Sequence, residues 1–457
     1  MEYTCIRLFL LISIVCLATS SNSRSIIKNL PGFHGDLPFT LETGYVEVGD
    51  DNGIQFFYYF VESQRDPLHD PLLLYLTGGP GTPALYPFMY QIGPLTIDLE
   101  HSTKNNIVLE INPNSWTKAA NVIFLDLPTG VGFSYATTSE ASRSSDSMLA
   151  LHTYEFLKKW LLDHQRFRNN PLYISGISYM GILAPVVTLE AYKGNEQGKQ
   201  PQLNIQGCLI ISPLTDKFGD FNSRLEFAHR LALISDDIYK SAKESCHGNY
   251  VDKDPNNRLC WNSLQRMDEC TSGINPSNIL EPLCEDLDTD PTCSIDKIYL
   301  EYWANDKDVQ KALNVREGTV KTWQQNNALL HYDFKKNDTI YYSYDIFSSI
   351  IYHKQLVDKK CQVLIINGDH DMNFPYVGAT AWITSLNLPI ESPWAPWFVR
   401  NQVAGYRVTY AKNGYSLMHA TIKGAGHSVA LYKPEEASVI VDTWLGSHAY
   451  FSDNLAL

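Results

Sequence analysis

Residues 172–182 read Leu-Tyr-Ile-Ser-Gly-Ile-Ser-Tyr-Met-Gly-Ile. An apolar run, Leu172–Ile174, leads into Gly176-Ile177-Ser178-Tyr179-Met180-Gly181, and helix-compatible sequence follows. Strand, tight turn and helix in that order are the setting of the G-x-S-x-G pattern, which presents a serine hydroxyl at the top of a sheet. The two glycines allow the chain to turn tightly enough to lift Ser178 Oγ clear of the backbone. Ser178 is therefore the candidate nucleophile.

A serine hydroxyl is a weak nucleophile until a base takes its proton and a third group orients the base. Two further turns supply candidates. Asn367-Gly368-Asp369-His370-Asp371 closes an apolar strand, Val363–Ile366, and Gly424-Ala425-Gly426-His427 closes another, Met418–Ile422. Ser178, Asp369 and His427 then fall in the chain order of an α/β-hydrolase triad. Taken singly, Asp369 reads as an ordinary turn aspartate and His427 as a loop histidine; together, in this order, they read as acid and base. The oxyanion that forms during acyl transfer needs preorganised donors. The Gly78-Gly79 turn after the apolar strand Pro71–Leu76 and the Tyr179 amide are the expected sources.

The rest of the chain sets bounds on this reading. Its 457 residues are 44% hydrophobic and 19% charged, enough for a sizeable core. Lys and Arg total 36 against 50 Asp and Glu, a net charge of −14 that disfavours nucleic acid and anionic membrane as partners. Residues 1–20 carry a secretory pattern: Arg7, an apolar stretch Leu8–Leu17, and Ala18-Thr19-Ser20 as a small-residue cleavage site. The apolar stretch is too short to span a bilayer. Cys5 and Cys16 belong to that leader. Of the other seven cysteines, five lie between 246 and 293, which in a secreted chain reads as disulfides rather than a zinc site. No metal or cofactor is expected. Asn337-Asp338-Thr339 is a glycosylation sequon.

Strand signals at Thr43–Val48 and Ile54–Glu62 flank Asp-Asn-Gly at 51–53, a hairpin turn. Further strands are expected at Asn121–Leu125, 362–367 and 415–422. Helices are expected at Ser145–Arg166, with Met148, Leu151, Tyr154, Leu157 and Leu161 at helical spacing, and at Pro434–Leu445. This alternation implies an α/β fold, a mostly parallel central sheet with helices on both faces. From 214 to 300 the sequence turns helical, polar and cysteine-bearing. The division expected is a leader (1–20), a first core part (21–213), an inserted lid (214–300) and a second core part (301–457).

Six long stretches resemble one known family: LTGGPG (76–81), IGPL (92–95), NPNSWTKAANVIFLDLPTGVGFSYA (112–136), ISGISYMGI (174–182), NGDHDM (367–372) and IKGAGHSVALYKPEE (422–436). They are similar to plant serine carboxypeptidase-like proteins over nearly the whole mature length. The resemblance implies an α/β-hydrolase fold, the triad Ser178–Asp369–His427 and an oxyanion hole from Gly79 and Tyr179. It also implies one of two activities. One branch removes C-terminal amino acids from peptides; the other, which includes sinapoylglucose acyltransferases and littorine synthase-type enzymes, transfers acyl groups from 1-O-β-glucose esters to alcohols, usually in the vacuole.

Departures from the family pattern favour the second branch. The peptidases carry Asn at Thr77 and an acidic pair at Gln91 and Ile177 to bind the peptide carboxylate. All three are altered here, and a carboxylate that enters an apolar site without donors loses several kcal/mol. The expected substrates are an acyl-glucose donor and an alcohol acceptor that is neutral or cationic rather than malate, handled by Thr77, Gly78, Gln91, Ile177 and Gln325. The family's donor-binding Arg is replaced by Gln325, and both halves of one family disulfide are absent, at Thr82 and Asn326. The remaining family bridges map to Cys246–Cys260 and Cys284–Cys293. A serine carboxypeptidase or esterase, and a non-catalytic paralogue that supports an active enzyme, are the competing readings. The secretory pathway, with the vacuole ahead of the exterior, is the expected location.

Overall fold

The computed structural model describes residues 24–49, 53–284, 295–332 and 341–453, with side chains through 446. The leader, residues 51 and 52 of the hairpin turn, Cys293 and Asn337 lie outside them.

A twelve-stranded sheet organises the chain. Eleven strands form its path: β1 (Arg24–Ile27), β2 (Leu41–Val48), β3 (Ile54–Val61), β4 (Leu72–Leu76), β5 (Asn121–Leu125), β6 (Leu172–Ile177), β7 (Ile205–Ile211), β8 (Gln362–Gly368), β9 (Ile390–Val399), β10 (Gln402–Lys412) and β11 (Tyr415–Ile422). Their spatial order is β1-β2-β3-β5-β4-β6-β7-β8-β11-β10-β9. From β5 to β11 every neighbouring pair is parallel. The flanking pairs on both sides are antiparallel. The 51–53 hairpin is thus realised in the antiparallel pairing of Val48 with Ile54.

The central strands are apolar throughout because both of their faces are covered. Leu72, Leu74 and Leu76 of β4 pack into one cluster with Leu149, Phe156, Trp160, Ile182 and Leu183. Leu73 and Tyr75 of the same strand pack into the opposite cluster with Phe88, Trp303, Ile440 and Trp444. The period of two in a strand thus divides one apolar run between two cores. The first cluster belongs to α1 (Asp146–Asp163) and α2 (Met180–Glu196); the second includes α6 (Ile295–Asn305) and α8 (Pro434–Asp453). Truncating a side chain such as Leu74 to Ala would cost about 2–5 kcal/mol.

Between β7 and α6 the insertion builds α3 (Lys217–Arg230), α4 (Asp236–Cys246) and α5 (Arg258–Thr271). Each is capped by its preceding residue: Asp216, Ser235 and Asn257 accept from amides of the first turn. The three helices share a small core of Leu225, Phe227, Ile238, Leu264 and Met267, into which the body inserts Met372 and Val377, at the start of α7 (Tyr376–Ser385). A Cys246–Cys260 disulfide joins α4 to α5. Cys284 is also disulfide-bonded, with its expected partner Cys293 outside the described residues. Cys208, Cys270 and Cys361 are free thiols.

Several local expectations need correction. The boundary drawn at 300 cuts α6, whose Leu300 and Trp303 are buried in the main core. In α1 the helical period holds but the buried stripe is displaced: Met148 and Leu151 are exposed, while Leu149, Phe156 and Trp160 join Tyr154, Leu157 and Leu161 inside. Four strands on the path, β1, β7, β9 and β10, are not among those expected. Most of β9 is exposed, so nothing selected for alternation there.

Candidate active site

The site collects at the ends of four parallel strands, where ligands bind in open α/β sheets. Thr77–Gly79 follows β4, Ser178 follows β6, the Asp369–Asp371 turn follows β8 and His427 follows β11. A cavity of about 980 Å³ opens over these ends. Ser178, Gly78, Gly79, Tyr179 and His427 line its floor, and Phe221, Arg224, Tyr250 and Met267 of the insertion line its far wall.

Ser178 has φ 63°, a left-handed conformation that costs an L-residue energy. Three backbone bonds hold it there. Its amide donates to Ile211 O at 2.9 Å, and its carbonyl accepts from the Gly181 and Leu214 amides, both at 2.9 Å. The flanking glycines serve clearance rather than dihedral freedom. A Cβ on Gly176 would stand 2.6 Å from Met180 Cβ, and one on Gly181 2.5 Å from Pro213 Cβ. The strain of the turn therefore sits on the serine itself. Gly78 is as constrained: a Cβ there would lie 2.6 Å from Ser178 Cβ. The strand-end loop thus meets the nucleophile without a side chain between them.

The amides of Gly79 and Tyr179 have no hydrogen-bond acceptor among the described residues, and both residues border the cavity beside Ser178. Two unsatisfied N–H groups at the nucleophile are what a developing oxyanion requires. Tyr179 is fixed through its hydroxyl, which donates to Asp146 at 2.6 Å. Asp146 also accepts from the Tyr342 hydroxyl and the Ile346 amide. Burial nevertheless pushes its carboxyl up to about 6.

The orienting acid is Asp371, not Asp369. His427 Nδ1 stands 2.8 Å from Asp371 Oδ2, and the Asp371 carboxylate is fully buried. Its other oxygen accepts from the Asn373 and Phe374 amides, at 2.8 and 3.3 Å. Asp369 instead turns back over the sheet edge. Its Oδ1 contacts His370 Nδ1 at 2.5 Å and accepts from the Gly424 amide at 2.7 Å. It straps two strand-end turns together and is partly exposed. Two acids in one five-residue turn are equivalent by pattern; only the path of the turn selects between them.

The other expected substrate-contacting residues divide. Thr77, Gln91 and Ile177 line the cavity, all nearly buried. Thr77 Oγ1 has no hydrogen-bond partner among the described residues. Gln91 is committed at both ends of its amide, accepting from the Tyr75 hydroxyl and donating to Ser428 Oγ, each at 3.2 Å. Gln325 does not line the cavity; its neighbours Asn326 and Ala328 do. At the site of the absent family disulfide the two loops are joined by backbone: the Asn327 amide donates to Gly81 O and the Tyr332 amide to Gly79 O. No group of side chains suited to hold a metal ion occurs among the described residues.

With this geometry in view, known proteins give the family. The serine carboxypeptidase family model matches residues 31–447. This chain belongs to the serine carboxypeptidase family. It is 43% identical to serine carboxypeptidase-like 3 of Arabidopsis thaliana and 44% identical to serine carboxypeptidase-like 1, each over 93% of both chains. Among solved structures, a prohormone-processing carboxypeptidase from Saccharomyces cerevisiae superposes with a TM-score of 0.70, covering 90% of this chain and 92% of that one at 17% identity. At that identity the likeness speaks for the α/β-hydrolase fold alone. The family is one of enzymes, and the acid assignment to Asp371 rests on this chain's own hydrogen bonds.

Proposed function

We propose that this member of the serine carboxypeptidase family is an acyltransferase that moves an acyl group from a 1-O-β-glucose ester to an alcohol. The observation that carries the proposal is the state of the three positions where peptidases bind the substrate carboxylate. Ile177 is apolar, Gln91 has both ends of its amide occupied, and Thr77 offers one unpartnered hydroxyl. These three positions orient a neutral hydroxyl or carbonyl and lack the group of carboxylate-binding side chains that the peptidases place there.

In the reaction, Ser178 Oγ attacks the ester carbonyl while His427 takes its proton. Asp371 holds the imidazole by Nδ1 and stabilises its charged form. The Gly79 and Tyr179 amides receive the oxyanion. Collapse breaks the bond to the glucosyl oxygen, which leaves with the proton from His427. The acceptor alcohol then gives its proton to His427, attacks the acyl-serine and restores Ser178. The wall of Phe221, Tyr250 and Met267 offers apolar and aromatic surface that favours an alcohol's hydrocarbon part over water.

The reading extends to location. The leader pattern suits the secretory pathway, and an acidic vacuole suits a fold whose buried carboxyls Asp126, Asp146 and Asp220 are raised to about 7, about 6 and about 7.

Incubation of the purified protein with a panel of acyl-glucoses and alcohols, read by mass spectrometry, tests the proposal. Ester products that disappear in Ser178→Ala support it. Release of C-terminal amino acids from peptides without ester formation would replace it with the peptidase reading. Absence of labelling by a serine-directed fluorophosphonate would replace it with the non-catalytic one. Acceptor choice is a finer test: a compact, mostly hydrocarbon alcohol should have a higher kcat/KM than malate, and Gln91→Glu with Ile177→Asp should shift the ratio toward malate.

A further inference from the structure

The bonds that hold the acid turn run outward into the insertion. Arg224 stands on α3 and borders the cavity. Its Nε and Nη2 both donate to the Asn373 carbonyl, at 3.1 and 2.8 Å. The Asn373 amide donates to Asp371 Oδ1 at 2.8 Å, and Asp371 Oδ2 holds His427. Asn373 Nδ2 donates to Ser277 Oγ at 2.8 Å, while the Ser277 carbonyl accepts from the His427 amide at 2.6 Å. The Met372 amide donates to Pro276 O at 2.9 Å. Base and acid are therefore both sewn to residues 276 and 277.

Phe221 lies beneath the guanidinium, 4.4 Å from its carbon, and meets Phe374 edge-on. A planar fork that rests on one ring and grips one carbonyl with two donors fixes position better than a lysine could. The acids whose charges Arg224 feels are Asp371 and Asp220, neither in a direct ion pair with it.

We propose that Arg224 is a positioning residue for catalysis: through the Asn373 peptide it sets the orientation of Asp371, and the insertion thereby completes the triad as well as covering it. This rests on Ser178 being the nucleophile, which the test checks separately.

The measurement is the rate at which a fluorophosphonate labels Ser178. The Oγ–P bond forms, fluoride leaves and His427 takes the proton, so the rate reads triad alignment without any natural substrate. Arg224→Gln should lower it about 10²-fold, the scale of a small misplacement of reacting groups. Arg224→Lys, which keeps the charge and loses the fork, should recover part of the loss. In an Asp371→Asn background Arg224→Gln should add less than about threefold, because the group it orients no longer works. An equal loss in both backgrounds would show a general structural role and overturn the proposal. So would an unchanged labelling rate with a raised KM, which would make Arg224 a substrate contact. If Arg224→Gln does not melt cooperatively, the same cycle with Arg224→Lys decides. Labelling that persists in Ser178→Ala would overturn the nucleophile assignment instead.

Discussion

The nucleophile turn and the acid turn sit on strands of one sheet, yet they are built differently. The turn at Ser178 is made by its own neighbours in sequence and by the two strand ends beside it. Gly176, Gly181 and Gly78 each leave a gap that packing closes, and three backbone bonds hold the strained serine. The turn at Asp371 is made by residues far earlier in the chain, Arg224 lying 149 positions and Ser277 lying 96 positions before Asn373 of that turn. Pro276, Ser277 and Arg224, all from the insertion, determine where its peptide groups point. The first kind of site is local enough to read from a pentapeptide. The second kind depends on tertiary contact, and a pattern sees only that two acids are present.

The sharpest way to break this comparison is at the acids. Ser178→Ala should reduce acyl transfer by about 10⁴-fold or more, since triad members act as a unit. Asp371→Asn should cost about 10⁴-fold, by favouring the wrong imidazole tautomer. Asp369→Asn should cost less than about tenfold, because the Gly424 amide can still be accepted by the amide oxygen. Rates of ester formation measured on the three purified variants check this; a severe Asp369→Asn with a mild Asp371→Asn would reverse the assignment.

A second comparison sets two glycines against each other. In Gly78→Ala the new methyl meets Ser178 Cβ at 2.6 Å, with rigid strand ends on both sides. In Gly426→Ala it meets Ser277 O at 2.2 Å and Asn278 Cβ at 2.5 Å, on a segment of the insertion. Each should destabilise by about 1–3 kcal/mol. Both should lower activity, Gly78→Ala by pressing on Ser178 itself and Gly426→Ala about 10²-fold by moving Ser277 off the His427 amide while the Ser178 turn stays intact. Thermal melts and initial rates separate the two effects.

Loosening the insertion at a distance is a gentler probe. The Cys246–Cys260 bridge closes a separation of 14 residues, worth about 3 kcal/mol in the chain-entropy model. Cys246→Ser with Cys260→Ser should lower the melting temperature, and activity should fall severalfold because the acid turn leans on the same helices. Unchanged turnover would mean that the seam at residues 276 and 277 stands without α4 and α5.

The smallest effect is in pH. Burial raises Asp126, behind the oxyanion loop, to about 7, although the Ala84 and Phe133 amides pull the other way. Burial likewise raises Asp220, in the first turn of α3, to about 7, and Asp146 to about 6. A carboxyl raised in the folded state binds its proton more tightly there than when unfolded. Its contribution is complete below about pH 4 and is lost as pH climbs toward 7. Melting temperatures should therefore fall between pH 4.5 and 7.5, and Asp126→Asn should flatten part of that fall.

How much of this was legible follows the same division. The parallel strands at 71–76, 121–125, 172–174, 362–367 and 415–422 announced themselves as apolar runs, because both faces are buried, while β7 was not expected. Ser178, His427 and Thr77 stand just past the ends of those runs and Ile177 is the last residue of one, whereas Gln91 caps a short helix that follows. What escaped was whatever another part of the chain decides. Asp371 is selected by the insertion. The buried stripe of α1 is rotated from Met148 and Leu151 to Leu149 and Phe156 by the sheet it lies on. Gln325 stays off the cavity while Asn326 and Ala328 of the same loop line it, a choice the path of the loop makes.

The outermost strands bear on how the molecule behaves in a crowd. A sheet left open at both margins offers bare N–H and C=O groups to any extended chain it meets. Among the described residues one margin is β1, of four residues. The other is β9, which presents Ile390, Trp394 and Phe398 to solvent. Pro393 and Pro396 remove two donors from β9, and three register shifts break its pairing with β10. The sticky side chains are thus mounted on a backbone whose missing donors and broken register work against its serving as the template for a further strand.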